Sequence, residues 1–110
     1  MSSENESNAQ TWGLKPGPTP GSASLVGEID FSVTPKVRKA LMGVIEAGTP
    51  EVALDLSGLD YIDSSGLALL IEARKILLEA KRSLRIVGIS SQVRKIFNLT
   101  QLGELFGLPD

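Results

Sequence analysis

Between Val52 and Lys81 the hydrophobic period of this chain changes from two to about 3.6, across the junction Asp60-Tyr61-Ile62-Asp63-Ser64-Ser65-Gly66. Before the junction, Val52-Ala53-Leu54-Asp55-Leu56 alternates and reads as a strand. After it, the spacing predicts a helix from Ser65 to about Lys81, with Glu72, Lys75, Glu79 and Arg82 as its one wet stripe. Leu67, Leu69, Leu70, Ile71, Ile76, Leu77 and Leu78 cover the rest of that helix, an arc wide enough to need more than one neighbour. The junction therefore sets an acid and two hydroxyls at a helix start. Unpaired backbone N–H groups and the positive end of the helix dipole favour oxygen ligands and added negative charge there. A serine in that place can be a cap, part of an anion site, or a residue built to be phosphorylated, and the residue types alone leave all three open.

The remaining elements follow from shorter signals. Ser22–Ile29 is a strand candidate that runs into Gly27-Glu28-Ile29-Asp30. Thr34 reads as a helix cap with Pro35 at the first helical position, where its missing N–H costs nothing. Val37, Ala40, Leu41, Val44 and Ile45 define the buried face of that helix, and Gly48 and Pro50 end it. Leu84–Val87 is a further strand; Ser90 or Ser91 caps a short helix bearing Val93, Ile96 and Phe97, and Thr100 starts a last turn through Leu102, Leu105 and Phe106. Strands alternating with helices predict an α/β sheet protein with short connections. Its 110 residues suffice for one domain. Residues 1–22, rich in Ser, Asn, Gln, Gly and Pro, are expected to be a disordered tail ahead of a domain at 23–110. Trp12 is the one aromatic of that tail and a candidate to dock on the domain.

Several function classes are disfavoured by what the chain lacks. It has no cysteine and no histidine, which removes disulfides, thiolate chemistry, Ser-His-Asp catalysis and the commonest transition-metal ligands. Neither a Gly-x-Ser-x-Gly elbow nor a phosphate-binding Gly-Lys-Ser/Thr loop is present, so no enzyme activity, metal or cofactor is expected. The net charge of −2, with scattered basic residues, offers no nucleic-acid footprint. Glu4 and Glu6 stand where a signal peptide wants basic residues, and the run Leu67–Ile71 is far shorter than the roughly 20 residues that span a bilayer. A soluble cytoplasmic protein without membrane insertion is the expectation.

Three stretches together resemble the STAS domain, the family of bacterial anti-sigma factor antagonists and of the cytoplasmic domains of sulfate transporters. They are Gly27-Glu28-Ile29-Asp30, the strand-loop-helix Leu56–Leu67 containing Asp-Ser-Ser-Gly-Leu, and Val93-Arg94-Lys95-Ile96-Phe97 followed by Leu99-Thr100-Gln101-Leu102. The resemblance spans about Gly27 to Phe106. It implies a four- to five-stranded mixed sheet with helices packed against it, and Ser64 as a phosphoacceptor supported by Asp30, Asp63, Ser65 and Gly66. The implied partner is a serine/threonine kinase that is also the anti-sigma factor, contacted through Asp30, Ser64, Ser65 and Leu67. The chain departs from the family pattern in lacking Gly-Gly after the long helix, in carrying Gln101 for a common Gly, and in a Pro-rich region before Gly27 that makes the customary first strand doubtful. It is similar as well to small STAS subunits of lipid-trafficking ABC transporters, which implies docking on an ATPase subunit instead.

Overall fold

A computed structural model describes residues 11–108. Five strands form one mixed sheet: β1 (Trp12–Pro16), β2 (Ser22–Ile29), β3 (Glu51–Leu56), β4 (Leu59–Ile62) and β5 (Ser83–Ile89). The order is β1-β2-β3-β5, with β4 also paired to β2. β1 is antiparallel to β2; the other pairings are parallel. Parallel neighbours need a crossover, and helices α1 (Thr34–Ile45) and α2 (Ser64–Glu79) supply the two, from β2 to β3 and from β4 to β5. Helices α3 (Ser91–Leu99) and α4 (Leu102–Leu105) close the chain, with α3 packed on β4. This is the mixed α/β architecture the resemblance implied.

The strand that alternates in sequence alternates in space. Val52, Leu54 and Leu56 of β3 are buried while Glu51, Ala53 and Asp55 are not. They join Leu25 and Ile29 of β2, Val37 and Leu41 of α1, Leu70 and Leu77 of α2, and Phe97 of α3 in a single apolar core. Each fully buried leucine or valine contributes about 1.5–3 kcal/mol by removal from water. Phe97 also meets Phe106 with ring centroids 5.8 Å apart, a tilted pair that ties the C-terminal turn to the core.

Two elements depart from the sequence reading. Trp12–Pro16, inside the segment expected to be a tail, is a strand in register with Gly27 to Ala23 of β2. Its cause is the alternation Trp12-x-Leu14, whose two side chains pack against the core; surrounding Gly and Pro hid a strand two apolar residues long. Residues 1–10, the remainder of the expected tail apart from the Gly- and Pro-rich turn, lie outside the described residues. The second is β4. Leu59-Asp60-Tyr61-Ile62 is buried only at its ends and pairs with the last part of β2, after the register shifts at Gly27/Glu28. Gly27 sits at φ 88°, and a Cβ there would fall 2.1 Å from the carbonyl oxygen of Thr11, just ahead of β1.

The helix ends also differ in detail. Thr34 does not cap α1; the cap position is Val33, and the Thr34 hydroxyl donates to the Phe31 carbonyl at 3.0 Å. α2 stops at Glu79, and Lys81 adopts a left-handed φ of 61°. That turn carries Arg82 out of the predicted wet stripe, so that its Nε donates to the Thr49 carbonyl and its Nη2 to the Ile45 carbonyl, both at 2.7 Å. A guanidinium thus satisfies a carbonyl at the C-terminus of α1, where the dipole favours a cation. Among the described residues no helix is long and apolar enough to cross a membrane. Replacing Arg82 by Met, which keeps the stem and removes both donations, is expected to lower stability by about 1.5–3 kcal/mol, read as a lower urea midpoint at unchanged m-value.

Candidate functional site

Parallel strands β2 and β4 end side by side, and α2 starts directly from the end of β4. The Asp63 N–H donates to the Ile29 carbonyl at 3.1 Å, which carries the strand pairing one residue past β4. Asp63 then turns into α2 with extended backbone (φ −95°, ψ −175°), the geometry of a helix N-cap. Its carboxylate is fully engaged. Oδ1 accepts from the Ser65 N–H at 3.0 Å, the Gly66 N–H at 3.1 Å and the Ser65 hydroxyl at 2.6 Å, while Oδ2 accepts from the Phe31 N–H at 3.1 Å. Burial alone pushes this carboxyl up. The donations from the Ser65 hydroxyl and from the Gly66, Phe31 and Ser65 N–H groups outweigh it and hold the group below the usual carboxylate range.

These bonds distribute the roles of the two serines. Ser65 is bound to Asp63 and lines a groove of about 270 Å³ between α1 and α2, with Thr34, Arg38 and Glu72 among its other walls. Arg38 and Glu72 close that groove as a two-point pair, Nε to Oε1 at 3.0 Å and Nη2 to Oε2 at 2.8 Å. Ser64 occupies the first position of α2, is exposed, and its hydroxyl has no hydrogen-bond partner among the described residues. Of the three readings open to a serine here, capping belongs to Asp63. The first-turn N–H groups of Ser65 and Gly66 are likewise taken by its carboxylate, so the chain fills its own anion position.

The other residues singled out from sequence fall in different places. Gly66 is helical, and a Cβ there would lie 2.5 Å from Ile62 Cγ1 and 3.0 Å from Ile29 Cγ2. Its role is the close approach of α2 to the ends of β2 and β4. Asp30 stands at the end of β2, but its Oδ1 accepts from the Ser32 N–H at 3.0 Å and the Ser32 hydroxyl at 2.5 Å, closing the β2–α1 turn instead of reaching Ser64. Leu67, expected to face a partner, is 5% exposed and belongs to the core. Conversely, Phe31 is 76% exposed and Tyr61 47%, and sequence reasoning assigned neither a role. The signal for Tyr61 was its place one residue before a buried Ile in an alternating strand end; for Phe31 there was none beyond its position after Asp30.

Removing the cap isolates the contribution of Asp63. Because its folded-state pKa is depressed, its stabilisation is present above the unfolded value near 4 and is lost as pH falls through the folded value. Asp63→Ala is therefore expected to be about 0.5–2 kcal/mol less stable than wild type at pH 7, with the gap closing below about pH 4. Paired urea titrations from pH 7 to pH 2.5 measure it; a gap independent of pH would mean that the carboxylate charge plays no part.

Comparison with known proteins bears on this arrangement. The STAS domain family profile matches residues 20–109. An anti-sigma-B factor antagonist of Staphylococcus epidermidis is 32% identical over 79 residues, covering 72% of this chain and 73% of that protein. Its counterpart in Staphylococcus aureus is 30% identical over the same spans. Among solved structures, an anti-sigma factor antagonist from Mycobacterium paratuberculosis superposes with a TM-score of 0.72 at 26% identity, over 89% of this chain and 83% of that one. The anti-sigma factor antagonist SpoIIAA in its unphosphorylated form shares the fold, with a TM-score of 0.67 at 22% identity over 84% and 83% of the two chains.

Proposed function

This chain belongs to the STAS domain family, and from that premise we propose that it is an anti-sigma factor antagonist, a cytoplasmic binding module switched off by phosphorylation at Ser64. The observation that carries this reading is the Ser64 hydroxyl, exposed and without a hydrogen-bond partner among the described residues, at a helix start capped by Asp63. In the unphosphorylated state the protein binds a serine kinase that is also an anti-sigma factor, and so releases the sigma factor. The kinase holds ATP. The Ser64 oxygen attacks the γ-phosphorus, the bond to the ADP oxygen breaks, and the hydroxyl proton passes to a base on the kinase. This chain is the substrate and supplies no catalytic group.

The product adds about −1.5 to −2 charges at Ser64. The helix dipole tolerates an anion there, and the Asp63 cap need not open. Yet Ser64 lies next to an ionised Asp63 whose lone pairs are already committed, so the new charge meets repulsion and points outward, where a partner sat. The fold stays and the surface changes. Asp63, Ser65 and Gly66 act in this scheme by fixing the first turn of α2, and Asp30 by fixing the neighbouring loop. The named curated relatives are antagonists of anti-sigma factors, which favours partner switching over the role of an ABC transporter subunit.

Incubation with the cognate kinase and ATP, followed by mass spectrometry of peptides, is expected to place the phosphoryl group on Ser64 in wild type and in Ser65→Ala. Ser64→Ala should stay unmodified; equal labelling of that variant would refute the assignment. Ser64→Asp is expected to bind the kinase at least tenfold more weakly (about 1.4 kcal/mol) while its thermal midpoint stays near that of wild type. A collapse of folding in Ser64→Asp would instead mark Ser64 as a structural residue.

A further inference from the structure

We infer that two copies of this chain join along the free edge of β5, strand to strand and α2 to α2, about a two-fold axis near Ile86. The path β1-β2-β3-β5 through the sheet has two ends. At one of them β1 carries Lys15 and finishes on Pro16, and a charge and a missing N–H of that kind keep a further strand away. β5 has neither proline nor lysine. It reads Ser-Leu-Arg-Ile-Val-Gly-Ile, and its one cation, Arg85, is held by Glu51 of β3 at 3.1 Å. Among the described residues no strand pairs with its outer side.

The outward backbone groups follow from the ladder. The Ser83 N–H donates to the Pro50 carbonyl at 3.0 Å, on the β3 side. A strand turns alternate residues to either neighbour, so Ser83 and Arg85 are engaged inward while the N–H and C=O of Leu84 and Ile86 point out. The register with β3 shifts after Ile86, which makes Val87 the extra residue and leaves Leu84, Arg85 and Ile86 regular ahead of it. An antiparallel copy centred on Ile86 exchanges two hydrogen bonds between the two Ile86 residues. It also sets Arg85 opposite the other copy's Val87, so the cation meets an apolar neighbour and not its like.

The helix above this edge supplies a separate observation. Glu72 faces α1 through Arg38, whereas Ile71 and Leu78 project about 100° and 120° round the helix from it, away from α1 and from buried Leu70, Ala73 and Leu77. Ile71, Leu78 and, on β5, Val87 are 37%, 48% and 48% exposed. α2 packs on β5, so this flank overhangs the free edge, and Ile71 lies midway along α2 as Ile86 does along β5. Two strand spacings of about 4.8 Å match the roughly 8–10 Å at which helices pack. A second β5 therefore brings its own α2 to packing distance and covers Ile71 and Leu78, which a lone peptide strand would leave bare. Arg74, half-buried on the same flank, keeps its guanidinium at the wet rim of the joint. That joint is about 24 Å long and two layers of about 10 Å deep, or roughly 1,000 Å² over both copies, the size at which a specific interface begins.

The test is sedimentation equilibrium of the full chain over a range on the order of 1 to 500 µM, which suits an interface of this size. The weight-average mass is expected to climb toward twice that of the chain. Ile71→Lys, Leu78→Lys and Val87→Lys, each at an exposed site, should raise the dimer Kd at least tenfold without moving the thermal midpoint of the dilute monomer. Leu99→Lys, at an exposed position on the end of α3, should associate within twofold of wild type. The chain has no cysteine, so Ile71→Cys supplies a single thiol close to the axis. Mild oxidation should join two copies through it at least tenfold faster than through Leu99→Cys. A chain that stays monomeric throughout would overturn the inference, and so would a dimer that none of the three lysine variants weakens. Neither result bears on Ser64, whose phosphorylation is read separately by mass spectrometry.

Discussion

One carboxylate holds the functional end of this protein together. Asp63 is where β4 ends, where α2 begins and where the β2–α1 turn is fastened, and it does all three with two oxygens and its own N–H. A serine or threonine cap could accept one or two of these bonds but has no second oxygen to reach Phe31. An asparagine would present an amide NH₂ to one side, setting donor against donor. The ionised acid alone accepts on both faces, and its charge suits the positive end of the helix. Ionisation is in turn stabilised by the donors it collects, so geometry and protonation state support each other.

The freedom of Ser64 follows from that arrangement. Helix starts leave N–H groups in need of acceptors, and a nearby hydroxyl is ordinarily recruited. Here the demand is met one residue earlier, and the hydroxyl of Ser65 is drawn to the same oxygen. Ser64 is left with no structural duty at the most exposed position of the first turn. A residue relieved of structural work can be covalently changed without unfolding the domain, which is the physical requirement for a reversible switch. Gly66 contributes by shape: without a Cβ the first turn seats against Ile62 and Ile29, and the helix start is held at a fixed height above the strand ends.

Much of this was legible in the residues and some was not. β2, β3, α1 and α2 announce themselves through period and length, and the Asp-Ser-Ser-Gly junction marks the candidate site. The short elements were hidden because their stability is tertiary. β1 has only Trp12 and Leu14 to signal alternation, and the alternation of β4 is broken by Asp60, the extra residue where its pairing with β2 shifts register. The division between Asp63 and Ser64 was beyond sequence for a related reason. Whether an acid or a hydroxyl caps depends on the entry angle of the chain, set by the Asp63–Ile29 backbone bond. Leu67 was placed at the partner surface by proximity in sequence, whereas its side chain is buried among the core residues.

The same geometry limits where recognition can reside. Leu67, Leu69, Leu70, Ala73 and Leu77 commit the inner face of α2 to the sheet and its helices. The α1–α2 seam carries the two-point Arg38–Glu72 pair, which is exposed and so is worth little as stability. Its two parallel bonds tie α1 to α2 about two turns along from Ser64. A partner approaching the hydroxyl therefore meets a surface set by the ends of β2 and β4 and the first turn of α2, with carboxylates at its margin. Such a surface is changed far more by one added phosphoryl dianion than by any motion of the backbone, since each further negative charge must be met by the same few cations opposite. If Ser64 is phosphorylated as proposed, switching by charge would need no conformational change in this fold, and the density of hydrogen bonds around Asp63 resists one.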